Sequence, residues 1–273
     1  MNKILIPKSY NYIGAFLTLR CNLNCKYCLN HYGEFSHQDE MSGADWVQAL
    51  NRIETRNDLP ISLQGGEPTI HKDFYMIAGA TRNYMDLLTN GLFDVETFMN
   101  AVTPETFNRE APYASIRFSY HETTNTEILL ERASILKGAG YNVGIWGLGN
   151  TNRNDEMAVA CKNWGIDFRI KEFLSETSGT YKYDGACLKQ FKKPVLCKPS
   201  ELLIGPTGHI YRCHSDLYEG VHPIAHILDD KIKLPEKFAK CDKFGYCNPC
   251  DVKLKTNRFQ QGGHCSVTIK ENE

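Results

Sequence analysis

The sequence predicts an α/β protein: a partial (β/α)6 TIM-like barrel followed by a small cysteine-rich carboxyl-terminal domain. Short apolar, β-branched or aromatic runs alternate six times with helical segments before residue 175, a pattern typical of parallel strands joined by right-handed crossovers. Six units are fewer than the eight that close a full barrel. After that point the periodicity fades, and seven of the eleven cysteines follow within fewer than 90 residues. We therefore expect domains at residues 1–180 and 181–273.

The individual elements follow from local patterns. Ser42 and Asp45 resemble a capping box that opens a helix with Trp46 and Leu50 on one face. Two further helices are predicted at Glu127–Lys137 and Met157–Trp164, each followed by glycine. A polar linker is expected at Ser175–Gly185, and Cys161 is expected to be a small buried residue. The predicted strands are Ile13–Leu19, Ile61–Gln64, Met85–Thr89, Ala114–Ser119, Tyr141–Trp146 and Asp167–Phe173.

Net charge, apolar runs and cysteine count limit the kinds of binding partner that we expect for this chain. The formal net charge of −1 gives no reason to expect a nucleic acid. No apolar run approaches the roughly 18 residues of a membrane span, so we expect a cytoplasmic protein without a membrane partner. Eleven cysteines in such a chain favour metal ligation or redox chemistry over structural disulfides.

Three cysteines stand directly after the first predicted strand, in the spacing Cys21-x3-Cys25-x2-Cys28. The carboxyl ends of parallel strands are where ligands bind in α/β folds. Gaps this short allow three thiolates to hold one iron–sulfur cube and leave one iron without a protein ligand. An open coordination position is typical of a metal site that does chemistry. A zinc knuckle is the alternative interpretation.

This spacing, with Tyr27 before the last cysteine, resembles the motif of the radical S-adenosylmethionine (SAM) superfamily. The resemblance implies a [4Fe–4S] cluster on Cys21, Cys25 and Cys28, with SAM chelating the free iron. It implies reductive cleavage of SAM to a 5′-deoxyadenosyl radical, which removes a hydrogen atom from the substrate. A flavodoxin- or ferredoxin-type electron donor is implied as a partner.

Motifs on the later strands extend the resemblance. Gly65-Gly66-Glu67-Pro68 resembles the family's GGEP motif, whose backbone and glutamate accept hydrogen bonds from the SAM ammonium. Further SAM contacts are implied, by position, at Tyr27, Thr89, Ser119 and Asn150. Asn150 stands where related motifs carry an acid, so plain strand packing remains an alternative there. Arg169 and Lys171 on the sixth strand are candidates to flank SAM or substrate, and the alternative is that one face of this strand is simply exposed to solvent.

The carboxyl-terminal cysteines resemble the SPASM and twitch extensions of the same superfamily. Cys197-x10-Gly208-x4-Cys213 resembles the opening hairpin of those domains, and the best match places an auxiliary [4Fe–4S] cluster on Cys197, Cys213, Cys247 and Cys250. A second interpretation uses Cys187, Cys197, Cys213 and Cys250 for one cluster and Cys241, Cys247 and Cys265 for another. Structural zinc is the remaining alternative.

These inferences predict a radical SAM oxidoreductase that dehydrogenates a small molecule, with an auxiliary cluster as electron acceptor. Peptide-modifying relatives often carry a leader-binding domain before the first cysteine, and only 20 residues precede Cys21 here. Modification of a peptide or carrier-bound substrate is the alternative, and a non-catalytic iron–sulfur or zinc module is an alternative of another class. Candidate bases are Tyr120, His121, His214 and Asp216.

Overall fold

A computed structural model describes residues 2–25, 28, 39–56, 59–149, 151–171, 194–242 and 267–271. In this described part, no helix is both long enough and apolar enough to cross a bilayer. The predicted linker at Ser175–Gly185 lies outside it.

A mostly parallel sheet of nine described strands forms the centre of the molecule, in the order β12-β11-β10-β2-β4-β5-β6-β7-β8. Six of its parallel strands confirm the predicted strand–helix units, with described ends that agree within two residues; the predicted end of the sixth strand, Phe173, lies outside the described residues. These strands are β2 (Tyr12–Thr18), β4 (Ile61–Gly65), β5 (Met85–Thr89), β6 (Ile116–Tyr120), β7 (Val143–Leu148) and β8 (Asp167–Lys171). Two short strands, β1 (Ile4–Leu5) and β3 (Ile53–Glu54), pair separately. The arrangement is the expected α/β fold of a partial TIM-like barrel.

Helices cover one face of this sheet, apart from the short carboxyl-terminal helix at His214–Glu219, whose Leu217 packs with Phe16 on the other face. Ser42 begins α1 (Gly43–Arg52), and its Oγ accepts from the Asp45 backbone N–H at 3.2 Å, which is the predicted cap. Asn125 and Thr151 cap the two other predicted helices in the same way. The further helices are α2 (Phe74–Ala80), α3 (Val95–Ala101), α4 (Thr126–Gly138), α5 (Asn152–Asn163) and α6 (His214–Glu219).

Alternate residues along each strand face opposite sides of the sheet. Leu87, Phe118 and Ile145 pack with the helices in the apolar core, together with Cys161, which is fully buried as predicted. Burial raises the pKa of the Cys161 thiol to about 12, which keeps it protonated. The intervening residues of the strands face the other side, which we call the inner face.

The carboxyl-terminal segment joins the same sheet. The strands β10 (Glu201–Ile204) and β11 (His209–Tyr211) form an antiparallel hairpin, and β12 (Ala225–His226) pairs with β11. Gly208 turns the hairpin at φ +82°, a conformation that favours glycine. The parallel pairing of β10 with β2 extends the central sheet. A second antiparallel sheet contains β9 (Val195–Pro199), β13 (Ala239–Cys241) and β14 (Val267–Glu271).

Candidate active site

The three closely spaced cysteines lie in the segment of residues 19–40 that follows β2 in the chain, which we call the cysteine loop; the structure describes its residues 19–25, 28, 39 and 40. The Leu23 backbone N–H donates to Cys21 Sγ at 3.3 Å, and the Cys28 N–H donates to the Cys25 carbonyl at 3.0 Å. Partial desolvation raises the pKa of Cys21, and nearby Glu67, Cys28 and Cys25 raise it further. The Cys21 sulfur is thus within electrostatic range of the other two sulfurs. Tyr27 lies outside the described residues.

An ion pair joins the two ends of the cysteine loop. Arg20 binds Glu40 through two hydrogen bonds, Nε to Oε1 at 2.8 Å and Nη2 to Oε2 at 2.9 Å. His71, whose side chain is fully buried, lies with Nε2 3.1 Å from the Met41 carbonyl and 3.9 Å from Glu40. These contacts hold the start of the loop against its end, and sequence reasoning did not find them because 20 residues separate the partners.

The GGEP motif packs directly on the start of the cysteine loop. The backbone N–H groups of Gly66 and Glu67 donate to the carbonyls of Thr18 and Arg20, both at 2.8 Å. A β-carbon on Gly65 would lie 2.0 Å from the Thr18 oxygen, and one on Gly66 would lie 2.1 Å from the Arg20 oxygen. Only glycine fits this close approach, so the two glycines set the distance between the motif and the loop.

Glu67 lies at the centre of the site and is 1% exposed. Its Oε1 accepts from the hydroxyls of Thr69 and Thr89 at 2.6 and 2.7 Å and from the Thr69 N–H at 3.1 Å, while Oε2 accepts from the Asn90 N–H at 2.6 Å. Burial raises the pKa of Glu67, and these donors oppose that shift. The carboxylate therefore joins GGEP to the Thr-Asn-Gly turn after β5, and Oε2 retains acceptor capacity for a further donor.

The turn after β5 also contacts the cysteine loop. Asn90 Nδ2 donates to Asn22 Oδ1 at 2.7 Å. The Thr89 hydroxyl accepts from the Gly91 N–H at 3.1 Å, so donation to Glu67 and this bond occupy it on both sides. Asn22 and Asn90 were not predicted as site residues. An asparagine before glycine is typical of any turn, and nothing local distinguishes this one.

The remaining SAM and base candidates lie at the ends of β6 and β7 and in α6. Ser119 is on the inner face and half-buried, and Asn150 lies outside the described residues. Tyr120 is on the helix side, where its hydroxyl is 2.7 Å from Thr126 Oγ1 and accepts from Arg153 Nε at 2.6 Å. We assign it to packing between β6 and α5.

His121 directly follows β6, at the carboxyl ends of the parallel strands, where the cysteine loop also begins. Burial and the charge of Lys171 lower its pKa, so the imidazole is neutral over a wider pH range. His214 Nδ1 lies 3.5 Å from Glu201 Oε2, and Asp216 lies 3.3 Å from Arg212 Nη2. Of the four base candidates, His121 combines a neutral ring with a position at the carboxyl ends of the parallel strands.

The cysteines of the carboxyl-terminal segment partly converge. Cys197 on β9 and Cys213 before α6 are both buried, and Cys241 ends β13. Hydrogen bonding with the Cys241 thiol, followed by burial, raises the pKa of Cys197, and the Arg212 guanidinium opposes this. Cys187, Cys247, Cys250 and Cys265 lie outside the described residues.

Both groups of cysteines suit iron by chemistry, since thiolates are the ligands that iron–sulfur clusters use. Among the residues with described positions, no three Cys, His, Asp or Glu side chains are gathered tightly enough to hold a metal ion as they stand. Within the described part of the chain, neither group of thiols is therefore assembled as a metal site.

A protein-family model described as the radical SAM superfamily matches residues 16–161, which is more than half of the chain. The chain belongs to the radical SAM superfamily and is an enzyme of that family, as the motifs predicted. Membership implies a [4Fe–4S] cluster and SAM as cofactors.

Curated relatives match shorter segments. An S-adenosylmethionine-dependent nucleotide dehydratase from Selenomonas ruminantium is 29% identical over 83 residues, which is 29% of each chain. A PqqA peptide cyclase from Methylobacterium sp. (strain 4-46) is 36% identical over 81 residues, 29% of this chain and 21% of the cyclase. The matched segments thus span less than a third of these relatives.

One solved structure resembles most of the chain. It is described as native anSMEcpe with bound AdoMet and Kp18Cys peptide, and it aligns with a TM-score of 0.51 at 16% identity. The alignment covers 80% of this chain and 77% of the other. This likeness supports the fold beyond the segment that the family model matches.

Proposed function

We propose that Cys21, Cys25 and Cys28 hold a [4Fe–4S] cluster whose fourth iron binds SAM, and that the enzyme removes a hydrogen atom from a substrate on the inner face. When bound, cluster and SAM supply the one-electron chemistry for that abstraction. The observation that carries the proposal is the junction of the cysteine loop with GGEP. The backbone of Gly66 and Glu67 hydrogen-bonds to that of Thr18 and Arg20, and Glu67 keeps an acceptor position on Oε2.

Each residue of the junction has a proposed role. Glu67 accepts from the SAM ammonium through Oε2, because an ammonium group is costly to bury without an acceptor. Gly65 and Gly66 keep the backbone close, and Ser119 and Asn150 contact the remainder of SAM. Thr89, whose hydroxyl is engaged with Glu67, positions that carboxylate.

For the overall reaction we propose oxidation of a small molecule. Hydrogen-atom removal takes one electron, so dehydrogenation also needs a proton acceptor and an electron acceptor. Neutral His121 is the proposed base, and an auxiliary cluster is the proposed electron acceptor. The proximity of Cys197, Cys213 and Cys241 supports a cluster that includes Cys241, with the remaining ligand among Cys187, Cys247, Cys250 and Cys265.

Modification of a peptide is the second candidate. Two observations favour it: the 36% identity with a PqqA peptide cyclase over 81 residues, and the fold likeness to a structure with a bound peptide. Mass spectrometry of the product distinguishes the two candidates once a substrate is in hand.

The cluster assignment is tested with two cysteine-to-alanine variants. Reconstituted anaerobically and reduced with dithionite, the wild-type chain is expected to release 5′-deoxyadenosine from SAM, measured by liquid chromatography. Cys25→Ala is expected to release none, because two thiolates cannot hold the open cube. Cys161→Ala, which removes a buried thiol remote from the loop, is the matched control and keeps the activity. Turnover in Cys25→Ala would contradict the assignment.

Iron content tests the auxiliary cluster. With both clusters loaded we expect about eight iron atoms per chain. Cys213→Ala should lower this to about four while the SAM-binding cluster remains. About four atoms in the wild-type chain would refute an auxiliary [4Fe–4S] cluster.

A further inference from the structure

Asn90, in the turn after β5, is 4% exposed and uses three polar groups within the site. Its backbone N–H donates to Glu67 Oε2 at 2.6 Å, and its side-chain Oδ1 accepts from the Leu92 N–H at 3.0 Å. Its side-chain Nδ2 donates to Asn22 Oδ1 at 2.7 Å. One buried asparagine therefore joins the carboxylate of the GGEP motif to the residue that follows Cys21.

The bond with Leu92 fixes the orientation of the Asn90 amide. A backbone N–H can only donate, so the Asn90 atom that faces Leu92 is the oxygen, and the nitrogen faces Asn22. The Asn22 amide must then present its oxygen to that nitrogen. The same Asn22 oxygen lies 3.9 Å from Cys21 Sγ. A directed series of contacts thus runs from the Glu67 carboxylate to the first cysteine.

Cys21 is held from both sides by groups that also define the position of Glu67. The residue before it, Arg20, accepts from the Glu67 N–H through its carbonyl at 2.8 Å. The residue after it, Asn22, accepts from Asn90, whose N–H binds the Glu67 carboxylate. The first bond fixes the loop only before the cysteine, so the asparagine pair supplies the attachment after it.

The groups at the two ends of this series repel each other when both are ionised. The Glu67 carboxylate already raises the pKa of the Cys21 thiol, as expected of two acidic groups at short range. Asn90 carries no charge and directs one N–H donor toward each end. It can therefore hold the carboxylate and the cysteine at a fixed separation in spite of their repulsion.

We propose that Asn90 is a positioning residue, which through Asn22 fixes Cys21 relative to Glu67 so that one SAM molecule can contact both the cluster and the carboxylate. This inference rests on the proposed function and deepens it, since it assigns the residues that align the two parts of the same site. Groups that are already aligned bind a ligand at a lower entropic cost. Loss of the Asn22–Asn90 bond therefore weakens SAM binding, although both contacts remain available.

The experiment is a double-mutant cycle on the full chain with its clusters loaded and oxidised. SAM is titrated calorimetrically under anaerobic conditions. Asn22→Ala removes the acceptor. Asn90→Ser removes the donor, while its hydroxyl can still accept from the Leu92 N–H, as serine does in turns.

Each single variant is expected to raise the Kd for SAM by about tenfold, the effect of about one lost hydrogen bond. The double variant is also expected to raise the Kd by about tenfold, because the same bond is lost only once. Two independent roles would instead multiply to about a hundredfold increase. The iron content is expected to equal that of the wild-type chain in all three variants.

Asn24→Ala is the matched control. Asn24 is exposed and lies in the same loop as Asn22, and the same substitution is expected to keep the wild-type Kd. If Asn90→Ser fails to fold, the contrast between Asn22→Ala and Asn24→Ala decides the question, because both substitutions are at exposed positions.

A wild-type Kd in Asn22→Ala, or single effects that multiply in the double variant, overturns the inference. A lowered iron content in the variants also overturns it, since the asparagines would then act by retaining the cluster. A chain that binds and cleaves SAM but shows either result refutes only the positioning role. A wild-type chain that neither binds nor cleaves SAM refutes the proposed function, and the inference with it.

Discussion

At the scale of single residues, the GGEP motif predicts Glu67 as a site residue but does not predict its hydrogen-bond partners. The letters Gly-Gly-Glu-Pro after a strand predict a carboxylate at the site. They do not disclose that four donors from Thr69, Thr89 and Asn90 converge on it. Thr69 follows two residues after Glu67, but Thr89 and Asn90 come from another strand and turn, and only the folded backbone brings them there. Glu67 thus stabilises the apoprotein as well as contributing to the proposed SAM contact.

We predict that Glu67→Gln lowers the free energy of unfolding by about 2–4 kcal/mol, measured by urea denaturation before reconstitution. An amide nitrogen would confront donors where an oxygen now accepts, and burial prevents water from substituting. Glu96→Gln on the exposed side of α3 is the matched control, with a change within about 0.5 kcal/mol. Equal stability of both variants would mean that the four bonds are not formed in solution.

The buried ion pairs of Asp86 with Arg109 and Arg117 were equally out of reach at this scale. The two arginines follow Asp86 by 23 and 31 residues along the chain. Alternation along β6 places Arg117 on the face opposite to the apolar residues of the core, but alternation does not say which charges meet it.

At the scale of elements, the sequence predicted those with strong local signals. The three predicted helices have side-chain caps at Ser42, Asn125 and Thr151, and two of them end close to glycine. The missed helices α2, α3 and α6 have seven, seven and six residues. Segments this short contain too few turns to display a helical period, and tertiary packing determines their conformation.

The hairpin at Gly208 was implied by the resemblance of Cys197-x10-Gly208-x4-Cys213 to the SPASM and twitch extensions, but its place in the molecule was not. Nothing in β10 identifies β2 as its neighbour, because a buried apolar strand can pair with any free edge. The structure pairs Leu203 with Gly14 and packs Leu203 against Phe16 and Tyr211. The proposed boundary near residue 180 therefore separates two sequence patterns that share one sheet.

At the scale of the whole molecule, this shared sheet predicts that residues 1–180 do not fold independently. Removing 181–273 uncovers the edge of β2 and the cluster around Phe16. We expect the fragment to bind a hydrophobic dye and to lack a cooperative thermal transition. Leu203→Ala in the full chain is the graded version, expected to fold with a loss of about 2–5 kcal/mol. A fragment that melts cooperatively near the temperature of the full chain would show that the first domain is autonomous.

The hairpin of β10 and β11 contacts the chain at the far end of the cysteine loop. The Met41 N–H donates to the Pro206 carbonyl at 2.9 Å, and a β-carbon on Gly208 would lie 2.4 Å from the Met41 sulfur. Met41 follows Glu40, which grips Arg20 beside Cys21, while the hairpin's second strand leads to Cys213. These contacts connect the segment beside Cys21 with the strand that leads to Cys213, so the surroundings of both groups of thiols share the backbone contact between Met41 and Pro206.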